Sequence, residues 1–302
     1  MTNKEYVVVI GGANMDLLGT PKGRLIMEDS NPGVITTSAG GVGRNIAENL
    51  ALLKVETKLL TAVGKDIYGD RIMKDTLESG VDTRYVRCLP KKSTSVYMSI
   101  LDENNNMKLA LSHMDITEEI DIQYIKENSG LIRHADIVLI DTNLSSETID
   151  YLFSHFSDSR FVMDSVSAVK SVKVKKYLDR IYSLKANRVE AGCILGIELP
   201  DDDSIRKAVK ELLRRGVRYP IISDGKKGVF YGSGERVAYR PAIPVEVVNV
   251  NGAGDAFTAG IVYGFHHRKS IEETVACGQK VAARALQSMD TVNRNLSLDD
   301  LE

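Results

Sequence analysis

The sequence predicts an α/β protein: a doubly wound, mostly parallel sheet flanked by helices, with a small β lid, in a single domain over residues 1–302. Three observations carry that prediction. Short β-rich runs alternate with helical patterns almost throughout, as in parallel strands joined by right-handed crossovers. Two stretches, about 14–38 and 93–114, break the rhythm and read as strand without helix. Several buried-strand patterns end in Gly, Asp or Asn, at the carboxyl ends where such sheets bind ligands.

Along the chain, residues 6–10 form the first buried strand. Residues 44–53 follow as a helix, with Ile46, Leu50 and Leu53 on one apolar face. Residues 58–63 read as a strand and 69–79 as a helix. The runs 95–101 and 107–112 flank the polar turn Asp102-Glu103-Asn104-Asn105-Asn106 and make a β-hairpin, which strand material from 20–37 joins. The resulting small sheet fits a lid, a decoration or a dimer interface. Strands at 137–141, 161–164, 181–184, 220–223 and 229–231 alternate with helices at 146–155, 169–179 and 202–215. A final helical pattern sets Phe257, Ile261 and Phe265 four apart. No proline- or serine-rich linker and no internal repeat divides the chain.

Composition narrows the class. Hydrophobic residues make up 43% and charged residues 26%, which suits a globular chain with a substantial core. A net charge of −2 offers no basic field for nucleic acid and no polybasic membrane patch. No apolar run approaches the length of a membrane span. Cys88, Cys193 and Cys277 are odd in number and far apart, as in reduced thiols rather than a disulfide frame or zinc site. The first residues are polar and lead straight into a strand, so the expectation is a cytoplasmic protein without a signal peptide. Its partner is then a small molecule rather than nucleic acid or membrane.

The most informative stretch is Asn249-Val250-Asn251-Gly252-Ala253-Gly254-Asp255-Ala256-Phe257. Two glycines around an alanine let backbone approach a ligand, and the unpaired N–H groups of a helix start favour an anion. Asp255 is a carboxylate beside that anion site. Two readings stand: a base that takes a proton from a hydroxyl about to attack phosphorus, or an ordinary acidic residue stabilising a helix start. A second cluster, Ser38-Ala39-Gly40-Gly41-Val42-Gly43-Arg44-Asn45, opens a helix but lacks the end of a P-loop and the spacing of a dinucleotide fingerprint. Alone it reads as a strand-to-helix turn. Asp16, a few residues past the first strand, and Asn45 together offer the acceptor and donor that a vicinal diol needs.

With these residues in place the chain resembles the ribokinase-like (PfkB-type) carbohydrate kinases. The cluster from Gly40 to Asn45 is similar to the N-terminal signature of that family, and the one from Gly252 to Asp255 to the C-terminal signature. Between them, Ala62-Val63-Gly64-Lys65-Asp66 with Gly69, then Asn187 with Glu190, then Ser223 with Gly225 and Gly228 fall in family order. Within the family the resemblance is nearest to pseudouridine kinases. It rests on Asn31-Pro32-Gly33, Thr94-Ser95-Val96-Tyr97, Asp164-Ser165-Val166-Ser167-Ala168, Leu184-Lys185-Ala186-Asn187-Arg188-Val189-Glu190-Ala191 and Asn249-Val250.

The resemblance implies a ribokinase-like fold and phosphoryl transfer from ATP to the 5′-hydroxyl of pseudouridine, with another ribosyl acceptor as the alternative and a non-catalytic nucleotide or sugar sensor as a more distant one. It implies Asp255 as catalytic base, Gly252, Ala253 and Gly254 as backbone donors to the transferred phosphoryl, and Asp16, Gly41 and Asn45 as sugar ligands. Asn187, Glu190, Ser223, Gly225 and Gly228 would serve ATP, with Glu190 orienting Mg²⁺ through water. Asn187 and Glu190 also fit an ordinary helix cap, and Ser223 with its glycines a plain β-turn. Residues 277–283 would flank the adenine. K⁺ is a family expectation weakened here, because Asn249 and Asn251 stand where relatives place Asp and Thr. Tyr97 fits a stacking platform or sheet packing. His266 and His267 read as a solvent-facing pair and 170–176 as a solvated basic face. A homodimer through the lid is a further expectation.

Overall fold

A computed structural model describes residues 5–302. The chain opens with strand β1 (Tyr6–Ile10), whose Val7, Val8, Val9 and Ile10 are all fully buried because helices cover both faces of the sheet. β2 (Asn14–Pro21) and β3 (Gly33–Gly40) come next, then helix α1 (Val42–Leu52). The strand expected at 58–63 is two strands, β4 (Glu56–Leu60) and β5 (Ala62–Gly64), which enter different sheets. Helix α2 (Ile67–Glu78) is capped by Asp66, whose side chain accepts from the N–H groups of Tyr68 and Gly69. A short β6 (Arg87–Leu89) pairs with β5.

The hairpin expected from the polar turn is β7 (Val96–Leu101) and β8 (Met107–His113). It pairs with the strands around 20–37 in a four-stranded sheet of order β3-β2-β7-β8, separate from the main one. Register sets Leu17, Thr37, Met98 and Leu111 on one face of this lid, with Ile35, Ile100 and Leu109 beside them. Two short helices, α3 (Ile122–Glu127) and α4 (Ser129–His134), lead to β9 (Ile137–Asp141). Helix α5 (Ser146–His155) and β10 (Phe161–Asp164) follow with the bounds read from the sequence.

The helix expected at 169–179 is a single α-turn, α6 (Ala168–Ser171), continued by a 3₁₀ segment, Val172–Arg180. Then come β11 (Ser183–Asn187), α7 (Arg188–Leu195), α8 (Asp202–Arg214) and β12 (Tyr219–Ser223). β13 (Gly228–Ser233) and β14 (Arg236–Pro241) form an antiparallel hairpin at the sheet's edge. Two long helices, α9 (Ala253–His266) and α10 (Ile271–Leu286), complete the described elements used below.

The eight-stranded sheet has the order β14-β13-β12-β11-β10-β9-β1-β4, and the pairs from β12 to β4 are all parallel. One apolar layer, with Ile140, Phe153, Phe161 and Ile194, covers one face. Another, with Ile46, Leu50, Ile261 and Phe265, covers the other. All three cysteines are free thiols. Among the described residues no helix is long and apolar enough to cross a membrane.

Candidate active site

Strands β1, β9, β10 and β11 are neighbours in the sheet, so their carboxyl ends bring Gly11, Asp141, Asp164 and Asn187 to one rim. Asp141 is fully buried, and its Oδ2 accepts from the backbone N–H of Gly12 at 2.8 Å and of Gly43 at 2.9 Å. One carboxylate thereby joins the loop after β1 to the start of α1, and burial pushes it above the ordinary carboxylate range. Gly41 caps α1 at φ 98°, and a β-carbon there would lie 2.5 Å from Gly12 O and Ala13 Cα. Only glycine fits that turn. Asp16 on β2 accepts from Asn14 Nδ2 at 2.7 Å. Burial raises its pKa, opposed by Asn14 and the nearby Arg44.

Asp255 lies in the first turn of α9, whose N-cap is Gly252 at φ 77°. A β-carbon on Gly252 would stand 2.1 Å from Thr291 O, so this entry too requires glycine. The Ala253 N–H reaches only Val250 O, at 3.5 Å, leaving the helix start short of acceptors. Asn45 Nδ2 donates to Asp255 Oδ2 at 2.7 Å, across 210 residues of chain. The Asp255 carboxyl is pushed up to about 7. Crowding away from water is the largest cause, although the residue keeps a partly open face. The charge of Asp164 adds to it, and Asn45 and Lys185 oppose it.

A buried cation sits among these acids. Lys185 Nζ pairs with Asp164 Oδ2 at 3.2 Å, their side chains 9% and 1% exposed. Asp164 Oδ2 also accepts from Thr258 Oγ1 at 2.6 Å, which joins β10 to α9. Burial pulls the Lys185 pKa down, yet Asp164, Glu190 and Asp255 outweigh it and the net shift is upward. The ammonium therefore stays charged. Val166, in the turn after Asp164, holds φ 57°, a strained conformation for a β-branched residue.

Asn187 and Glu190 form a reciprocal capping box at the start of α7. Glu190 Oε2 accepts from Ser165 Oγ at 2.6 Å and from Asn187 N at 2.8 Å, and Oε1 accepts from Asn187 Nδ2 at 2.7 Å. The cap is real, and it holds the carboxylate beside Lys185. Each Glu190 oxygen already has a protein donor, a donor set that fits contact with a hydrated cation better than direct ligation.

Ser223 is the β12 partner of Asn187, so the two proposed nucleotide residues stand side by side. A cleft of about 920 Å³ between α7 and the following turn is lined by Asn187, Val189, Cys193, Leu199, Ser223 and Gly225. Gly225 is exposed, and Gly228 closes the turn into β13 at φ 140°. In the segment expected beside adenine, Cys277 and Gly278 are buried against Gly260 and Phe257 of α9. Gln279 there bonds Arg240 and the Pro241 carbonyl.

Thus Asp16, Gly41, Asn45 and Asp255 gather on one side of the rim. Asn187, Glu190, Ser223, Gly225 and Gly228 gather on the other, with Lys185 between. Sequence reasoning missed Asp141, Asp164 and Lys185 as site residues. The available signal was an Asp ending the apolar runs of β9 and β10, and a Lys inside the strand β11. Two surface readings also change. His266 is largely covered and its Nδ1 bonds Asp136 at 2.8 Å. Lys170 and Lys173 turn inward, to Asn143 Oδ1 and to the carbonyls of Thr142 and Leu144.

A family model described as pfkB family carbohydrate kinase matches residues 4–297. The pseudouridine kinase of Escherichia coli (strain K12) is 37% identical over 300 residues, covering 99% of this chain and 96% of that protein. The uncharacterized sugar kinase YeiI of the same organism is 33% identical over 305 residues, covering 99% and 83%. The solved ribokinase of Arabidopsis thaliana, complexed with ribose and ATP, matches with a TM-score of 0.88 at 22% identity, covering 98% of this chain and 97% of that one. This last is a likeness of fold.

Proposed function

The chain belongs to the pfkB family of carbohydrate kinases, and from that premise we propose that it phosphorylates the 5′-hydroxyl of pseudouridine with ATP. The chemistry rests on one observation above all: Asp255, with its pKa raised to about 7, stands in the first turn of α9 and beside Asn45 and Lys185. A base tuned near neutrality accepts the hydroxyl proton as the oxygen forms its bond to the γ-phosphorus, while the bond from that phosphorus to the β,γ-bridging oxygen breaks and ADP leaves with the electron pair. The N–H groups of Gly252, Ala253 and Gly254, with the Lys185 charge nearby, stabilise the charge on the phosphoryl in flight. Asp16, Gly41 and Asn45 hold the ribose so that one oxygen faces the phosphorus. Asn187, Ser223, Gly225 and Gly228 receive the nucleotide. Mg²⁺, oriented through water by Glu190, would neutralise phosphate charge.

The acceptor is the finer part of the proposal, and the likeness to the E. coli pseudouridine kinase along almost the whole chain supports it. A bound K⁺ has little to do in the proposed reaction here. Asn249 Nδ2 donates to Met289 O at 2.9 Å, and its Oδ1 accepts from Asn251 N at 3.0 Å, so a neutral amide ties this loop where a carboxylate would need a counter-ion. The lid's Ile35, Leu109 and Leu111 are exposed on one face, which suits pairing with a second copy.

Purified protein with ATP and Mg²⁺, offered pseudouridine, uridine and ribose in turn, tests the reading. Preferential phosphorylation of pseudouridine supports it. Better use of uridine or ribose keeps the kinase and replaces the acceptor. Binding without transfer to any of them leaves the sensor.

A further inference from the structure

Asn45 lies between Arg44 and Asp255, and these neighbours decide which end of its amide faces which. A guanidinium carries donors only and an ionised carboxylate acceptors only. Arg44 Nη1 donates to Asn45 Oδ1 at 2.9 Å and to the Ala39 carbonyl at 2.6 Å. The other end of the amide is then the donor that meets Asp255 Oδ2 at 2.7 Å. Turned over, the amide would set its NH₂ against the guanidinium and its oxygen against the carboxylate, losing two charge-assisted bonds.

Arg44 is itself held from several sides. Its side chain is 4% exposed and pairs at 2.5 Å with Glu48, one turn further along α1 and fully buried. Arg44 Nε lies 3.4 Å from Thr76 Oγ1 on α2. Asn49 Nδ2 bonds the Asn45 carbonyl at 2.8 Å, holding the backbone as well. Buried ion pairs are costly to desolvate and often add nothing to stability over apolar residues. One placed directly beside Asn45 therefore asks for a reason other than stability.

We propose that Arg44, anchored by Glu48, is a positioning residue for the base: it locks the Asn45 amide so that its N–H faces Asp255 and holds that carboxylate in one orientation. This rests on the kinase reading for its consequence, though not for its geometry. The charges facing Asp255 from other elements are Asp164, Asp141 and Lys185. On the far side, Arg44 also acts on Asp16, and Arg294 on Glu48. The donor on Asp255 favours its ionised form and opposes the burial that raises it. Loss of the lock should therefore leave more of the base protonated at a given pH.

The test compares wild type, Arg44→Met/Glu48→Gln, Asn45→Ala and the triple variant. It reads kcat/KM against pH, and titrates the Asp255 carboxyl by carbon-13 NMR without ligand. The double variant should move the acid limb and the Asp255 titration up by about one pH unit, so that activity at low pH falls about tenfold, with KM for ATP unchanged. In the Asn45→Ala background the same double change should add no further shift. A double variant that melts earlier but keeps both the wild-type profile and titration overturns the proposal. So does a shift that persists without Asn45. Should the double variant not fold, Arg44→Leu/Glu48→Leu replaces it, since apolar substitutes for buried pairs are often tolerated. Failure of the kinase reading shows separately, as wild-type protein that phosphorylates no acceptor while the NMR titration still reports on Arg44.

Discussion

The ammonium of Lys185 lies 3.2 Å from the point where a β-carbon on Gly254 would sit. The missing side chain lets a buried cation stand directly beneath the first turn of α9. Two sources of positive potential, the helix start and the lysine, then converge on one place. Asp164 holds the lysine there from β10, and Thr258 holds Asp164 from α9.

Replacing that lysine separates structure from catalysis. Lys185→Met should destabilise the fold by about 3–5 kcal/mol, because Asp164 is left buried without its counter-charge. Lys185→Met/Asp164→Asn should recover most of the denaturant midpoint and little of kcat. Full recovery of kcat in the double variant would reduce Lys185 to a structural counter-ion.

Asp255→Asn should lower kcat by about a hundredfold to ten-thousandfold while acceptor affinity, measured by calorimetry, changes little. Turnover near the wild-type rate would remove Asp255 from the role of base.

The same residue links activity and stability to pH with opposite signs. With its carboxyl raised from 3.8 to about 7, kcat/KM should fall as pH drops through 7, since the base is then protonated. Between the two values the folded chain holds a proton that the unfolded chain has shed. The stability this group contributes is therefore present in full below its unfolded value and lost as pH rises through 7. Asp255→Asn should melt higher than wild type at alkaline pH and match it in acid. Parallel melting curves at both pH values would contradict the raised value.

Gly252→Ala should cost more than about 1 kcal/mol, because φ 77° strains an L-residue and the new methyl meets Thr291 O. As that glycine opens the helix carrying the N–H donors, kcat should fall more than KM rises. A variant with unchanged melting and kcat would mean that the loop yields without disturbing the donors.

K⁺ should leave activity nearly unchanged when it replaces choline at constant ionic strength, because the Asn249 amide already joins Met289 and Asn251. Asn249→Asp should introduce a K⁺ dependence. Strong activation of the wild type would show that the amide does not replace a cation.

The sequence by itself determined the layered architecture, because local periodicity reports burial: continuous apolar runs such as Val7 to Ile10 require cover on both faces, and alternation with helices requires parallel strands. It determined the hairpin of the lid through the polar turn at 102–106, and through residue type the two tight helix entries at Gly41 and Gly252, both at positive φ. Its blind spots have physical causes. Residues 58–63 look like one strand, yet the chain leaves the main sheet at Thr61, a change that only packing on two different sheets dictates. β14 carries Arg236, Arg240 and Pro241 on an exposed edge, so no burial pattern marks it. Above all, tertiary structure decided which charges meet. Asp141, Asp164 and Lys185 are distant in sequence and become neighbours only through strand order, and Asn45 meets Asp255 only because α1 and α9 pack on the same face. Periodicity encodes how deeply a residue is buried. Whom it meets there depends on topology, and in a low-dielectric interior that is what sets its charge and its chemistry.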